Sequence, residues 1–207
     1  MNEIVFIDYA GVALFAATGA LAASRKELDI IGFLFLAAVT GIGGGTARDL
    51  ILDVPVFWVA EPLYILVCTV TAVGIYFTAN LLESRFYALL WLDAIALAAY
   101  GVFGAYKGLI VTGSPVVAVV MGMLTSTLGG ILRDVIANEP SVLLRKEIYV
   151  TASLLGALAF VLADAAGFDL PYSVGIGFVT AFAIRAGAMS FGWTLPTYRS
   201  RPGRDYE

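Results

Sequence analysis

Apolar residues fill seven long stretches of this chain, and short polar connections separate them. The stretches are Ile4–Ala23, Ile30–Leu52, Phe57–Leu81, Phe86–Tyr106, Pro115–Ala137, Ile148–Ala166 and Tyr172–Trp193. A helix that crosses a bilayer needs about 20 mostly apolar residues, so each stretch reads as a spanning helix. Pro55, Pro115, Pro140 and Pro171 fall at or near the ends, where proline starts a helix or stops one. The pattern Ala20-Leu21-Ala22 resembles a signal-peptide cleavage site, but Met1–Asp8 has no Lys or Arg and two acids, the wrong charge for a leader.

A repeat underlies the pattern. Gly44-Gly45-Thr46-Ala47-Arg48-Asp49 and Gly129-Gly130-Ile131-Leu132-Arg133-Asp134 both read Gly-Gly-x-x-Arg-Asp, and 134 − 49 = 85. The same offset pairs Asp8 with Asp93, Gly19 with Gly104, Pro55 with Pro140 and Tyr64 with Tyr149, with no gap. Each unit holds three helices, so the second enters the membrane from the opposite face. The fold expected is all-α integral membrane: seven transmembrane helices, two inverted three-helix repeats plus a seventh helix. The units are residues 1–85 and 86–170, followed by helix seven over 171–196 and a polar cytoplasmic tail over 197–207.

Gly43-Gly44-Gly45 lies near the middle of the second span and Gly129-Gly130 near the middle of the fifth. Adjacent glycines lower the cost of non-helical backbone, so both helices are expected to be broken there. Freed carbonyls would suit a cation. Thr46, and Thr125, Ser126 and Thr127 just before the second break, add hydroxyls. The competing reading is that these glycines only let helices pack closely. Gly101, Gly104, Gly108, Gly175 and Gly177 read as packing glycines.

Charge changes the picture in three ways. Only 14% of residues are charged and 60% are hydrophobic, against about 25% charged in soluble domains. The net charge is −4 and no basic stripe suggests nucleic acid. Arg25, Lys26, Arg85, Arg145, Lys146, Arg199, Arg201 and Arg204 share one face, while the other holds only Lys107. Positive loops stay inside, so the N-terminus is expected outside and the C-terminus in the cytoplasm. There is no histidine and one cysteine, Cys68, which removes the usual base, soft metal sites and an intrachain disulfide. The chain reads as a non-enzyme with no cofactor.

Asp8, Arg48, Asp49, Asp93, Arg133, Asp134 and Arg185 fall inside spans. Such charges are costly unless paired or hydrated, so they line a path or a protein interior. Neighbours in a helix point apart, so Arg48 and Asp49, and Arg133 and Asp134, are each expected to find partners on other helices. Neutralising Arg133 is expected to alter conduction more than assembly. Asp8 and Asp93 lie near span ends, where headgroups would wet them, Lys107 is expected to snorkel to the surface, and Cys68 reads as a small core residue.

Three plus three plus one spans, a Gly-Gly-Gly run in helix two, a Gly-Gly in helix five and Gly-Gly-x-x-Arg at each together resemble the trimeric intracellular cation (TRIC) channel family, in a prokaryotic form. The resemblance covers Met1 to about Trp193. It implies a homotrimer in membrane lipid, with a pore in each subunit between helices two and five that passes potassium and sodium. The bacterial plasma membrane is the expected location. The pore would be lined by Gly43, Gly44, Gly45, Thr46, Arg48 and Asp49 and by Thr125, Ser126, Thr127, Gly129, Gly130, Arg133 and Asp134, with Asp8, Asp93 and Arg185 in support. A second class remains open, a secondary transporter of a small solute such as glycine, in which Arg48/Asp134 or Arg133/Asp49 would hold a zwitterion. Gly11, Ala16, Ala20 and Ala23 form a small-residue face suited to subunit contact.

Overall fold

The computed structural model describes residues 2–82, 84–142, 148–196 and 203, with side chains from residue 8 onward. The described structure is all helical. Helix α1 spans Asn2–Arg25, α2 Ile30–Ile51, α3 Phe57–Ala60 and α4 Leu63–Thr78, with a 3-10 turn at Ala79–Leu81. Helix α5 spans Arg85–Thr112, α6 Pro115–Ile136, α7 Val150–Ala165 and α8 Leu170–Phe191. Five of these stretches are long and apolar enough to cross a membrane: those over 30–51, 63–81, 85–112, 115–136 and 170–191. Helix α7 is apolar but shorter, at 16 residues. Of the cations used to orient the chain, Arg145, Lys146, Arg199, Arg201 and Arg204 lie outside the described residues.

The starts and stops are local chemistry. Asp29 and Ser84 accept hydrogen bonds from the first turns of α2 and α5, and Ser114 caps α6 just before its Pro115. Helices α5 and α8 end on left-handed Gly113 and Gly192, where a Cβ would strain the backbone. Asp53 and Asn138, at equivalent places after α2 and α6 (138 − 53 = 85), take the same left-handed conformation with φ of 53° and 51°.

Two features differ from the sequence reading. The stretch Phe57–Leu81 is not one helix, because the chain turns at Glu61 and Pro62 between α3 and α4. Helix α5 runs on to Thr112, which places Lys107 inside it.

Small residues let the helices meet. Ala16, Ala20 and Ala23 of α1 are fully buried within the chain, and a Cβ at Gly11 would collide with the Tyr100 ring of α5. The small face of α1 therefore packs inside the protomer and is not a free assembly surface. Gly19 of α1 lies against the Leu36 carbonyl and Thr40 of α2; 85 residues on, Gly104 of α5 lies against the Met121 carbonyl and Thr125 of α6. Gly101, Gly108 and Gly177 also sit at close approaches, whereas Gly175 has open space around it. Cys68 is buried in the core with Val12, Phe15 and Tyr100. Apolar side chains such as Phe35, Val70, Phe77, Val116 and Val179 point outward, as a lipid-facing surface requires.

Candidate functional site

Helices α2 and α6 cross at the glycines. A Cβ at Gly44 would overlap the carbonyl oxygen of Thr125, and one at Gly129 would stand 2.5 Å from the carbonyl oxygen of Thr40. Thr40 and Thr125 are themselves 85 apart, so the crossing consists of one contact made twice. Residue 40 meets 129 while 44 meets 125, which means the two helices run antiparallel here. Glycine is required by this approach of one backbone to another.

The expected helix breaks are absent. Helix α2 is continuous through Gly43-Gly44-Gly45 and α6 through Gly129-Gly130. Glycine permits a break but does not compel one, and here the missing Cβ serves packing inside an intact helix. Gly45 makes room for the Phe57 ring, and Gly130 for the Tyr149 hydroxyl and Asp93. Gly43 faces Leu132. The hydroxyls are likewise tied to their own helix: Thr40, Thr125, Ser126 and Thr127 donate to the carbonyls of Leu36, Met121, Gly122 and Met123. Ser126 also meets Ser153, and Thr46 donates to Ile42 while accepting from the Trp58 indole at 2.9 Å. The lone pairs of these oxygens that are not otherwise used remain acceptors.

One turn past each glycine the charges gather. In the first cluster the Oδ1 of Asp49 accepts from Arg48 Nε at 2.8 Å and from Lys107 Nζ at 2.9 Å, and its Oδ2 accepts from the Phe57 N–H at 3.0 Å. The Arg48 guanidinium lies over the Phe103 ring at 5.2 Å and the Phe57 ring at 5.8 Å. Asp8 accepts from the Tyr64 hydroxyl at 2.6 Å and the Tyr100 hydroxyl at 2.8 Å. Tyr9 stacks on Tyr64.

In the second cluster Arg133 reaches Asp134 through Nε at 3.0 Å and Nη2 at 2.9 Å, Asp93 through Nη1 at 2.7 Å, and Thr18 Oγ1 at 3.0 Å. The Oδ2 of Asp134 accepts from the Val142 N–H at 2.9 Å. Arg185 donates to the Ile148 carbonyl at 3.2 Å and lies over the Tyr149 ring. Antiparallel crossing puts the two clusters on opposite sides of the glycines.

These contacts correct several expectations. Each arginine does pair with the aspartate next to it, because its long side chain folds back and the short carboxylate is held by the following turn. With Arg48 bound to Asp49 and Arg133 to Asp134, neither Arg48/Asp134 nor Arg133/Asp49 stands free to hold a zwitterion. Asp8 and Asp93 are buried, not wetted by headgroups. Arg133 is locked between two buried carboxylates, Asp93 and Asp134. Lys107 does not snorkel away; its head turns to Asp49 and its side chain stays 26% exposed. Lys107, Tyr100 and Trp58 are the site residues that sequence reasoning missed. Among the described residues no group of three or more His, Cys, Asp or Glu is placed to hold a metal ion.

Comparison with known proteins gives the same picture from another side. A family model described as glycine transporter matches the chain twice, over residues 5–80 and 90–165, and 90 − 5 = 85. A UPF0126 membrane protein of Vibrio cholerae is 38% identical over 94% of this chain and 82% of its own length. The UPF0126 inner membrane protein YadS of Escherichia coli K12 is 37% identical over 94% of this chain and 96% of its own. Among solved structures, the TRIC trimeric intracellular cation channel orthologue from Rhodobacter sphaeroides is 49% identical, with a TM-score of 0.91 over 93% of this chain and all of that one. A prokaryotic TRIC channel determined in 0.5 M KCl is 25% identical, with a TM-score of 0.86. The chain also matches relatives described as UPF0126 membrane proteins and a family model described as glycine transporter, and a match along nearly its whole length with a fold superposing this closely places it in the TRIC cation-channel family.

Proposed function

We propose that this protein is a channel for monovalent cations, potassium and also sodium, assembled as a homotrimer in the bacterial inner membrane. The ion path runs through each subunit along the α2–α6 crossing. The proposed arrangement has seven spans, with α3 and α4 together forming the third. Units 1–85 and 86–170 are inverted relative to each other, a seventh span over 171–196 that contains most of helix α8 follows, and the tail 197–207 is cytoplasmic with the N-terminus outside. The observation that supports the channel reading most is the 49% identity to a TRIC channel orthologue across the whole of that chain.

The geometry suits a passive path. Conduction needs sites weak enough for an ion to leave, and the crossing offers hydroxyl and carbonyl oxygens without a carboxylate cage. Each carboxylate is already neutralised or hydrogen-bonded at the two ends. The transporter reading, which the family description glycine transporter favours, needs a cation and an anion free to hold a zwitterion. Arg48, Asp49, Arg133 and Asp134 are instead committed to one another. In the present state the Gly44–Thr125 and Gly129–Thr40 contacts close the crossing, so passage requires the two helices to separate there.

Single-channel recording of purified protein in planar bilayers with asymmetric KCl tests the proposal. Unitary currents reversing near the potassium potential are expected. Saturable glycine flux without unitary currents would overturn it. Cross-linking in detergent is expected to yield a trimer, and a clean monomer or dimer would count against the assembly.

A further inference from the structure

The two charge clusters share a residue pattern at a constant offset, yet one bond differs. Asp8 corresponds to Asp93, Arg48 to Arg133, Asp49 to Asp134 and Phe57 to Val142. In the second cluster the arginine Nη1 bridges to the aspartate of the helix beside it, Arg133 to Asp93. In the first cluster Arg48 Nη1 has no hydrogen-bond partner although Arg48 is 1% exposed. A buried guanidinium N–H left unpaired is costly. The counterpart aspartate, Asp8, is held by tyrosine hydroxyls instead, Tyr64 on Oδ2 and Tyr100 on Oδ1.

The reason lies in two positions where the repeat is not kept. Tyr100, which takes one oxygen of Asp8, corresponds to Phe15 (100 − 15 = 85), which has no hydroxyl to offer Asp93. Thr18, which accepts from Arg133, corresponds to Phe103, whose ring sits under Arg48 and offers no acceptor. So the same arginine is anchored to its aspartate in one half and parked over a ring in the other. The first cluster also holds the partly exposed Lys107, so Asp49 would keep a cationic partner if Arg48 moved.

We infer that Arg48 is a two-position switch: in its second position Nη1 bridges to Asp8 as Arg133 bridges to Asp93, and the Tyr100 hydroxyl is the latch that holds Asp8 away. In the bridged position α1 and α2 are clamped by an ion pair as α5 and α6 already are. The first half then takes the bonding of the second, and the α2 end of the crossing changes its footing. Such a switch needs two discrete arrangements of one packed element, and the protein already displays both, one in each half.

The test removes one oxygen. Tyr100→Phe keeps the ring against Phe15 and frees an oxygen of Asp8. A structure of this variant is expected to show Arg48 Nη1 within hydrogen-bond distance of Asp8. Arg48 still over Phe103 would overturn the inference. In parallel, a double-mutant cycle of Asp8→Asn and Arg48→Lys is read by melting temperature in detergent. It is expected to give little coupling in the wild type and about 3 °C in the Tyr100→Phe background. Equal coupling in both backgrounds, or none in either, would overturn it. The further readout, a changed open probability in Tyr100→Phe that Asp8→Asn reverses, rests on the channel reading. A protein that passes no current would sink that reading and leave the structural and melting tests intact.

Discussion

Gly129→Ala adds one methyl group at the helix crossing, and the structure sets its cost. The new Cβ would stand 2.5 Å from the Thr40 carbonyl, against 3.4 Å for ordinary contact, a shortfall of 3.4 − 2.5 = 0.9 Å. That oxygen belongs to the backbone of a continuous helix, so it yields only if α2 moves as a whole. Overpacking of this kind costs about 1–3 kcal/mol. Alanine returns about 1 kcal/mol of helix propensity over glycine. Gly74, in α4 with nothing within 4 Å of its Cβ position, isolates the propensity gain alone. Gly74→Ala is therefore expected to raise the melting temperature in detergent and Gly129→Ala to lower it. The pair should differ by the clash, at about 2–4 °C per kcal/mol for a chain of this length. Gly44→Ala should fall at least as far, because its Cβ would overlap the Thr125 carbonyl more deeply. If Gly129→Ala melts at or above Gly74→Ala, the crossing is loose and the packing account is wrong.

Asp93→Asn should destabilise by about 3 kcal/mol, since it takes one of two carboxylates from the buried Arg133 and leaves the pair with Asp134. Asp8→Asn should cost about 1–3 kcal/mol, because Asp8 is held by tyrosine hydroxyls and no arginine depends on it in the present state; chemical denaturation of the two variants side by side checks the order. Lys107→Gln should change stability by under about 1 kcal/mol, as that pair is partly exposed, and equal damage from Lys107→Gln and Asp93→Asn would contradict the burial difference. Trp58→Phe should cost about 1 kcal/mol through the lost bond to Thr46, and that loss should vanish in a Thr46→Val background.

Much of this molecule was readable from residues that are costly to place. Matching glycines, prolines, arginines and aspartates at one offset revealed the repeat, because apolar residues fill every span and carry no register. The same residues marked the crossing and both clusters. What they did there was not readable. A glycine pair looks the same whether it breaks a helix or admits a carbonyl, and only the partner backbone decides. Helix geometry points neighbouring side chains apart, so an arginine next to an aspartate reads as unpaired with it. The side-chain length that lets Arg48 and Arg133 fold back is visible only once the next turn, with the Phe57 or Val142 N–H, fixes the carboxylate. The pairing of Lys107 with Asp49 was hidden because α5 continues a turn and a half past its expected end. Tyr100 escaped notice because its partner, Asp8, lies 92 residues away on another helix.

The crossing carries a consequence for ancestry. Gly44 meets Thr125 and Gly129 meets Thr40, so each side contributes the same threonine and the same glycine four residues apart. A contact of that form is self-complementary, as at a two-fold dimer interface. A shorter ancestral chain carrying one such unit would have needed no new surface to pair with a second copy of itself, and fusion of two genes would have preserved the joint. The halves should retain that capacity. Co-expressed as separate fragments divided between α4 and α5, they are expected to copurify, and Gly44→Leu in one fragment is expected to abolish the pairing.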